Sequence, residues 1–250
     1  MKIIAIIPAR MAATRFPGKP LADLLGLPMI EHIRRRVALS ELVAETVVAT
    51  CDREIYDVVS KAGGKAAMTS DSHVRCTDRI AEAARVLSAD IVINIQGDEP
   101  LIHPDMLAAL VEPLLREPDL QCTNLLTHIT SEEEFNSPNE VKTVIDLKSN
   151  VLYFSREPIP SVKKAGGRVG MRLKQNGMIA FRKDFLATFS NLSPTPLEEL
   201  ESVDMMRAIE HGYKIRAVLS STPTVSVDVP EELEIARGML EKDALRSRYM

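Results

Sequence analysis

The chain has 250 residues, of which 45% are hydrophobic and 26% are charged, with 31 Lys and Arg against 35 Asp and Glu. This composition is ordinary for a globular protein and excludes general disorder. The net charge of −4 and the absence of Trp argue against a nucleic-acid partner, since the chain has neither a net positive field nor many rings for stacking on bases.

The cysteines and the amino-terminal residues limit the class of protein further. Cys51, Cys76 and Cys122 are scattered and form no Cys-x-x-Cys pair, so neither a disulfide framework nor a zinc ribbon is expected. The apolar run at 3–7 stops at Pro8 and is too short for a signal-peptide core or a membrane span. We therefore expect a cytoplasmic protein with no membrane association.

The first half of the chain alternates between strand and helix patterns. Apolar runs without polar alternation predict buried strands at 2–8, 46–50 and 91–95, and a weaker strand is predicted at 65–68. Between and after them, helices are predicted from Pro28, at 53–62 with Asp52 as a cap, from a cap at Thr77 or Asp78 to about 87, and at 103–115. This order predicts an α/β fold, with a mostly parallel Rossmann-like sheet and helices on both faces.

In the helix that begins at Pro28, the apolar residues recur at helical spacing, and Arg34, Arg35 and Arg36 are expected to face solvent.

The second half is less regular. Strands are predicted at 121–127, 141–146, 151–154, 178–181 and 214–219, with helices at 197–211 and 230–242. The strands at 141–146 and 151–154 are expected to pair as a hairpin, joined by a Lys-Ser-Asn turn. The stretch 160–170 holds three Gly and three cationic residues and is predicted to be a mobile surface loop. The pattern favours a single domain with a smaller β-rich lobe.

Ligands of open parallel sheets bind beyond the carboxyl ends of the strands. The loop after the first strand, 8–20, carries Arg10, Arg15 and Lys19, and its backbone N–H groups and cations suit a triphosphate. It is not a Walker A loop, because Ala13 and Pro20 stand where Gly and Ser or Thr are needed. The alternative is an ordinary solvated basic loop.

Two carboxylates also stand at strand ends. Asp98 follows Gly97 after the strand at 91–95, and Asp228 precedes the helix that begins at Pro230. Mg²⁺ commonly takes one or two carboxylates together with phosphate oxygens, so this pair suffices if the fold brings it together. The alternative for each is a turn or helix-start residue.

Eight segments in order over nearly the whole chain resemble the 3-deoxy-manno-octulosonate (Kdo) cytidylyltransferase family, also called CMP-Kdo synthetases. The most specific are the first, fourth and sixth, and the set is IPARMAATRFPGKPLADLLGLPMIEH (7–32), VATCDREI (48–55), CTDRIAEAA (76–84), INIQGDEPLIHPD (93–105), PNEVKTVID (138–146), LYFSREPIP (152–160), PLEELESVDMMRAIEHG (196–212) and VDVPEELEIAR (227–237).

The resemblance implies a fold of the nucleotide-diphospho-sugar transferase type. It also implies a reaction in which the anomeric hydroxyl of Kdo attacks the α-phosphate of CTP and pyrophosphate leaves, for lipopolysaccharide biosynthesis. A homodimer is expected as well. The resemblance assigns 1–127 and 214–250 to the nucleotide-binding core, and 128–213 to a lobe for sugar binding and dimerisation.

The same resemblance gives roles to residues of the nucleotide half. Arg10 and Lys19 match the residues that hold the triphosphate, Asp98 and Asp228 match the ligands of Mg²⁺, and Arg10, Lys19 and Asp98 are the expected catalytic residues. Arg79 and Gln96 match positions near the cytosine. The expected nucleotide-binding residues are Ala9, Arg10, Arg15, Lys19, Arg79, Gln96 and Gly97.

In the sugar half, Arg156 matches the partner of the sugar carboxylate, which a guanidinium grips bidentately. The expected substrate-binding residues are Arg156, Gln175, Glu201 and Asp204.

This chain departs from the usual family pattern at several positions. Gln175 and Ile179 replace a His and a Tyr in the sugar pocket, Asp204 replaces a Glu, and Ser226 replaces a Gly. Arg75-Cys76 replaces Ser-Gly near the base, and Cys51 replaces an Asp.

Polar mismatches discriminate strongly between substrates. The acceptor therefore stays open between Kdo and another small acid, such as an amino-Kdo, a nine-carbon ulosonic acid or a phosphonate. A CTP-binding regulatory module without turnover is the non-enzymatic alternative.

Overall fold

The computed structural model describes residues 1–12, 15–164 and 170–250. These residues form two compact units, one of Met1–Ala108 with Thr222–Met250 and one of Ala109–Ser221. The bounds differ from the expected lobe at 128–213, because the strands near 122 and 215 fall in the second unit. The roles expected of the two parts stay predictions. Part of the loop predicted at 160–170 lies outside the described residues.

The strands and helices are numbered along the described chain. The strands are β1 Ile3–Ala9, β2 Asp23–Leu24, β3 Leu27–Pro28, β4 Glu45–Thr50, β5 Lys65–Met68, β6 Ile91–Ile95, β7 Cys122–His128, β8 Lys142–Ile145, β9 Val151–Ser155, β10 Leu173–Arg182 and β11 Ile215–Ser220. The helices are α1 Met29–Val37, α2 Arg53–Lys61, α3 Cys76–Arg85, α4 Pro104–Arg116, α5 Glu132–Asn136, α6 Lys183–Asn191, α7 Pro196–Glu201, α8 Met205–Glu210 and α9 Pro230–Glu241.

The first unit contains four parallel strands in the order β5-β4-β1-β6. Every residue of β1 and of β6 is buried, which explains why both strands are apolar runs without alternation. Helices α1, α2 and α3 connect consecutive strands. The predicted parallel α/β arrangement is confirmed.

The second unit is richer in antiparallel pairs. Strand β7 pairs in parallel with β11 and antiparallel with β10, and β10, β8 and β9 continue antiparallel. The predicted hairpin of β8 and β9 is confirmed. Helix α6 was not expected from the sequence; it buries Phe185, Leu186 and Phe189.

The side chain of Arg36 in helix α1 is buried and does not face solvent as expected. It is 2% exposed, and Nε donates to the carbonyl of Ile102 at 2.6 Å while Nη2 donates to that of Leu101 at 3.2 Å. The guanidinium also forms an ion pair with Asp243. A buried guanidinium is stable only when it is paired in this way, and those partners lie far away in sequence, so helical periodicity does not reveal them.

The helix predicted at 197–211 is instead two short helices, α7 and α8. Ser202 adopts a left-handed backbone conformation with φ of 52° and ends α7. A buried ion pair between Glu198 and Arg207, with N–O distances of 2.6 and 2.7 Å, joins the two helices. The apolar spacing continues through the break, because Val203 within it and Met206 after it are both buried.

No helix in the described ranges is both long enough and apolar enough to cross a lipid bilayer.

His32 is fully buried between two oxygen partners. Nε2 contacts the carbonyl of Leu24 and Nδ1 lies 2.9 Å from the hydroxyl of Tyr249. Because a carbonyl only accepts, Nε2 carries the proton, and in the neutral ring Nδ1 accepts from the Tyr249 hydroxyl. Burial lowers the pKa of His32, and the charges of Arg36 and neighbouring arginines lower it further, against the raising effect of the Leu24 carbonyl.

We expect the unfolding free energy to fall as the pH drops below about 6.5, because the unfolded chain then protonates His32 and the folded chain resists doing so. The slope that one such group contributes reaches at most about 1.4 kcal/mol per pH unit. Urea unfolding between about pH 5 and 7 measures it. His32→Asn should flatten the profile, whereas the exposed control His128→Asn should not. Parallel profiles for wild type and His32→Asn would contradict this assignment.

Gly97, just beyond β6, passes close to β1. A Cβ at this position would lie 2.6 Å from the carbonyl oxygen of Pro8, a separation that real Cβ atoms do not tolerate. Only glycine therefore lets the end of β6 approach β1 at this point.

The substitution Gly97→Ala should lower the unfolding free energy by about 1–3 kcal/mol, because the two strand ends must separate. The matched control is Gly238→Ala inside α9, where a Cβ meets open space. That change should raise stability by about 0.5–1 kcal/mol, since alanine favours a helix. Urea unfolding of both variants makes the comparison, and equal stabilities would refute the packing argument.

Candidate functional site

A cavity of about 230 Å³ lies in the first unit, at the carboxyl ends of its strands. It is formed by the segments after β1 and β6, the first residue of α3 and the segment before α9. The lining residues are Pro8, Ala9, Arg10, Arg15, Phe16, Lys19, Pro20, Cys76, Gln96, Gly97, Asp98 and Asp228. Since β1 and β6 are parallel neighbours, their ends deliver Ala9 and Gly97 to the same edge.

Most residues predicted for the nucleotide site therefore come together. Six of the seven expected nucleotide-binding residues line this cavity, together with both expected metal ligands, Asp98 and Asp228. The structure establishes their proximity, while their roles stay predictions.

Arg79 is the exception. It is 3% exposed and does not belong to the described lining of the cavity. Its Nη1 donates to the hydroxyl of Thr69 and to the carbonyl of Ser70, the latter at 3.2 Å. These contacts hold the segment that follows β5, which is a structural role that the resemblance alone did not indicate.

The ammonium group of Lys19 bridges the two carboxylates. Nζ lies 3.1 Å from Oδ2 of Asp98 and 3.2 Å from Oδ1 of Asp228. Arg15 adds a second cation, with Nη2 at 2.8 Å from Oδ2 of Asp228. Side chains from three distant parts of the chain thus form one charged cluster.

The environment of this cluster shifts two of its pKa values. Burial acts to lower the pKa of Lys19, but the attraction of Asp98 and Asp228 outweighs it, so the net pKa lies above the ordinary value. Burial raises the pKa of Asp98, the charge of Asp228 raises it further, and Lys19 opposes both. A pair of carboxylates in this setting favours a bound cation.

The donor set also fits the expected Mg²⁺. Both groups are oxygen donors, and they lie close enough together to share one ammonium ion. Within the described residues, no group of three or more His, Cys, Asp or Glu side chains is placed to hold a metal. Two carboxylates supplemented by phosphate oxygens and water are the usual arrangement for Mg²⁺.

Asp52 has a role that the sequence did not reveal. It was expected to cap helix α2, but its side chain makes no capping hydrogen bond there. Instead Oδ2 accepts from the backbone N–H of Met11 at 2.8 Å, which anchors the loop that follows β1. Because Met11 and Asp52 are 41 residues apart in the chain, no local sequence pattern indicates this contact.

Arg156 lies in the second unit, and its guanidinium is largely occupied. Nε donates to the carbonyl of Glu201 at 2.9 Å, Nη1 to those of Pro138 and Asn139 at 2.9 and 3.3 Å, and Nη2 to that of Ser202 at 3.3 Å. These bonds use four of its five N–H donors. The structure shows Arg156 as a backbone clamp, and its predicted contact with a sugar carboxylate stays a prediction.

The carboxylate of Glu201 is a second centre of the same network. It accepts from the hydroxyls of Tyr153 and Ser155, both at 3.0 Å, and from the backbone N–H of Arg156 at 2.8 Å. Asp204, another of the expected substrate-binding residues, stands at the N-cap position of α8.

Lys142 is a buried ammonium that the sequence analysis did not single out. Nζ donates to the carbonyls of Ser137 at 2.7 Å, Glu140 at 2.9 Å and Arg156. These three bonds satisfy its three donors, which explains how a fully buried lysine is tolerated. Burial lowers the pKa of Lys142.

Gln175 is held by Asn124, a second residue that the sequence analysis missed. Nε2 of Gln175 donates to Oδ1 of Asn124 at 2.7 Å. Nδ2 of Asn124 donates to the carbonyls of Asn176 and Met178 at 3.1 and 3.0 Å, where the pairing of β7 with β10 changes register. Asn124 therefore stabilises an irregular stretch of β10 and orients Gln175.

Comparisons with known proteins agree with this geometry. The model of the cytidylyltransferase family matches residues 4–215. The 3-deoxy-manno-octulosonate cytidylyltransferase of Syntrophus aciditrophicus (strain SB) is 46% identical over 242 residues, which is 96% of this chain and 97% of that protein. The protein of the same name from Syntrophobacter fumaroxidans (strain DSM 10017 / MPOB) is 46% identical over 248 residues, covering 98% and 99%.

A solved structure of a CMP:2-keto-3-deoxy-manno-octonic acid synthetase complexed with CTP has the same fold. It matches with a TM-score of 0.90 at 38% identity, over 97% of this chain and 99% of that chain. The predicted fold class is thereby confirmed. Sequence and structure together show that the chain belongs to the 3-deoxy-manno-octulosonate cytidylyltransferase family.

Proposed function

We propose that this protein transfers CMP from CTP to the anomeric hydroxyl of Kdo and releases pyrophosphate. The observation that carries the proposal is the convergence of Asp98 and Asp228 on Lys19, in a cationic cavity at the strand ends. The names of the relatives and the CTP complex of the structural neighbour support the choice of substrates.

The residues of the cavity suit phosphoryl transfer. The sugar oxygen forms a bond to the α-phosphorus, the bond from that phosphorus to the bridging oxygen breaks so that pyrophosphate leaves with that oxygen, and the sugar hydroxyl gives its proton to solvent water. Such a reaction depends on positioning and charge neutralisation rather than on a protein nucleophile. Arg10, Arg15 and Lys19 bind the triphosphate and stabilise the negative charge of departing pyrophosphate.

Asp98 and Asp228 are the residues that would hold Mg²⁺. When bound, the metal neutralises phosphate charge and aligns the phosphate oxygens. Lys19 keeps the two carboxylates close together, so the ligand pair is already assembled before substrate arrives.

We further propose that the protein acts in the cytoplasm, where CTP is available, and that it is a homodimer. Size-exclusion chromatography with light scattering tests the second point, and a monomer at working concentration would contradict it.

With CTP, Mg²⁺ and Kdo, the wild-type protein should release pyrophosphate. Asp98→Asn should lower kcat by at least about 100-fold, because a neutral amide neither binds the metal strongly nor balances Lys19. The control is Asp105→Asn. The side chain of Asp105 lies in the same unit and is 87% exposed, so this variant should retain activity. An Asp98→Asn enzyme with near-normal turnover would refute the metal assignment.

The regulatory alternative makes a different prediction in the same experiment. A module without turnover would bind CTP, which calorimetry would detect, but it would release no pyrophosphate with any sugar acid. The retention of both carboxylates argues against it, since nucleotide binding alone does not require two metal ligands.

The acceptor is tested separately, because Gln175 and Ile179 alter the usual sugar pocket. In competition among Kdo, an amino-Kdo, a nine-carbon ulosonic acid and a phosphonate, we expect Kdo to have the highest kcat/KM. Mass spectrometry of the CMP products measures the preference. A reproducible preference for another acid would replace Kdo as the substrate and keep CTP as the donor.

A further inference from the structure

The residues around Asp228 are held by two polar contacts that the proposed function does not use. Asp228 belongs to a short segment, 226–229, between β11 and α9, so no sheet pairing fixes its position. A metal ligand in irregular backbone must be held by other interactions if it is to stay near its partner.

The first contact joins this segment to the one that carries Asp98. The backbone N–H of Val227 donates to the carbonyl of Asp98 at 2.9 Å. Beside it, the hydroxyl of Ser226 donates to Oε1 of Glu99 at 2.6 Å. Glu99, which follows Asp98, and Ser226, two residues before Asp228, are therefore themselves hydrogen-bonded.

Glu99 is suited to act as the fixed partner of this bond. It is 1% exposed, whereas Ser226 lies at the surface. A hydroxyl bonded to a carboxylate forms a short and strong hydrogen bond, and its loss from a buried carboxylate is costly. The bond thus ties an irregular stretch of backbone to a buried side chain.

The second contact joins the segment to its own helix. Oε2 of Glu232 accepts from the backbone N–H groups of Asp228 and Val229, at 2.5 and 3.1 Å. This is the glutamate half of a capping box, because the valine side chain at the N-cap has no acceptor. Glu232 fixes the segment relative to α9, and Glu99 fixes it relative to Asp98.

We infer that Ser226 and Glu99 form a positioning pair. The pair holds Asp228 at binding distance from the Mg²⁺ that Asp228 and Asp98 would bind together. The inference rests on the proposed function, since it concerns the metal and CTP site of that reaction. Ser226 replaces a Gly in the usual family pattern. A glycine at this position would lack the hydroxyl and could not make this contact.

Binding of CTP with Mg²⁺ to the whole protein, measured by calorimetry without any acceptor, tests the pair. Ser226→Ala should weaken binding in Mg²⁺ by about 5- to 20-fold, the range expected for one hydrogen bond to a buried carboxylate. Ser226→Thr keeps the hydroxyl and should restore affinity to within about twofold. In turnover, Ser226→Ala should raise the Mg²⁺ concentration for half-maximal rate and the KM for CTP more than it lowers kcat.

The control is Ser247→Ala, which removes a serine hydroxyl bonded to the carbonyl of Ala244 in the carboxyl-terminal turn. It should leave the affinity for CTP with Mg²⁺ unchanged. Equal affinities of Ser226→Ala and wild type would overturn the inference, as would a loss that Ser226→Thr does not recover. A wild type that binds CTP with Mg²⁺ but turns over no sugar acid would overturn the proposed function and leave the comparison of affinities intact.

Discussion

The site depends on the ion pairs between the ammonium of Lys19 and the carboxylates of Asp98 and Asp228. Burial raises the pKa of Asp98, and repulsion from the nearby carboxylate of Asp228 raises it further. The lysine balances that repulsion and connects the loop after β1 with the segments after β6 and before α9. Removal of this balance affects three parts of the chain at once.

The parallel sheet of the first unit makes that convergence possible. Because β1 and β6 are adjacent and parallel, their carboxyl ends meet, and the Gly97 backbone passes within contact of Pro8. Irregular segments are then secured by side chains: Asp52 bonds to the N–H of Met11, and Glu232 to the N–H groups before α9. In the second unit, Arg156 and Lys142 hold loops in a similar way, by donating to backbone carbonyls.

Secondary-structure elements that depend on local sequence patterns were predictable. The apolar runs of β1, β4 and β6, the hairpin of β8 and β9 and the start of α9 at Pro230 all follow from neighbouring residues. The cationic loop and the two strand-end aspartates were also identified, since a parallel sheet places strand ends together. The break at Ser202 was not predictable, because the helices on its two sides continue one apolar spacing. A buried ion pair joins these two helices.

The amino-acid sequence by itself determined the class of fold, the family and the chemical types assembled at the nucleotide cavity. Only the tertiary structure decided which partners those groups have. It buried Arg36, turned Asp52 from a helix cap into an anchor for a loop, directed the guanidinium of Arg156 to carbonyls, and paired Gln175 with Asn124. The physical reason is that hydrogen bonds and ion pairs between residues distant in the chain leave no periodic signal, whereas burial of strands and helices does.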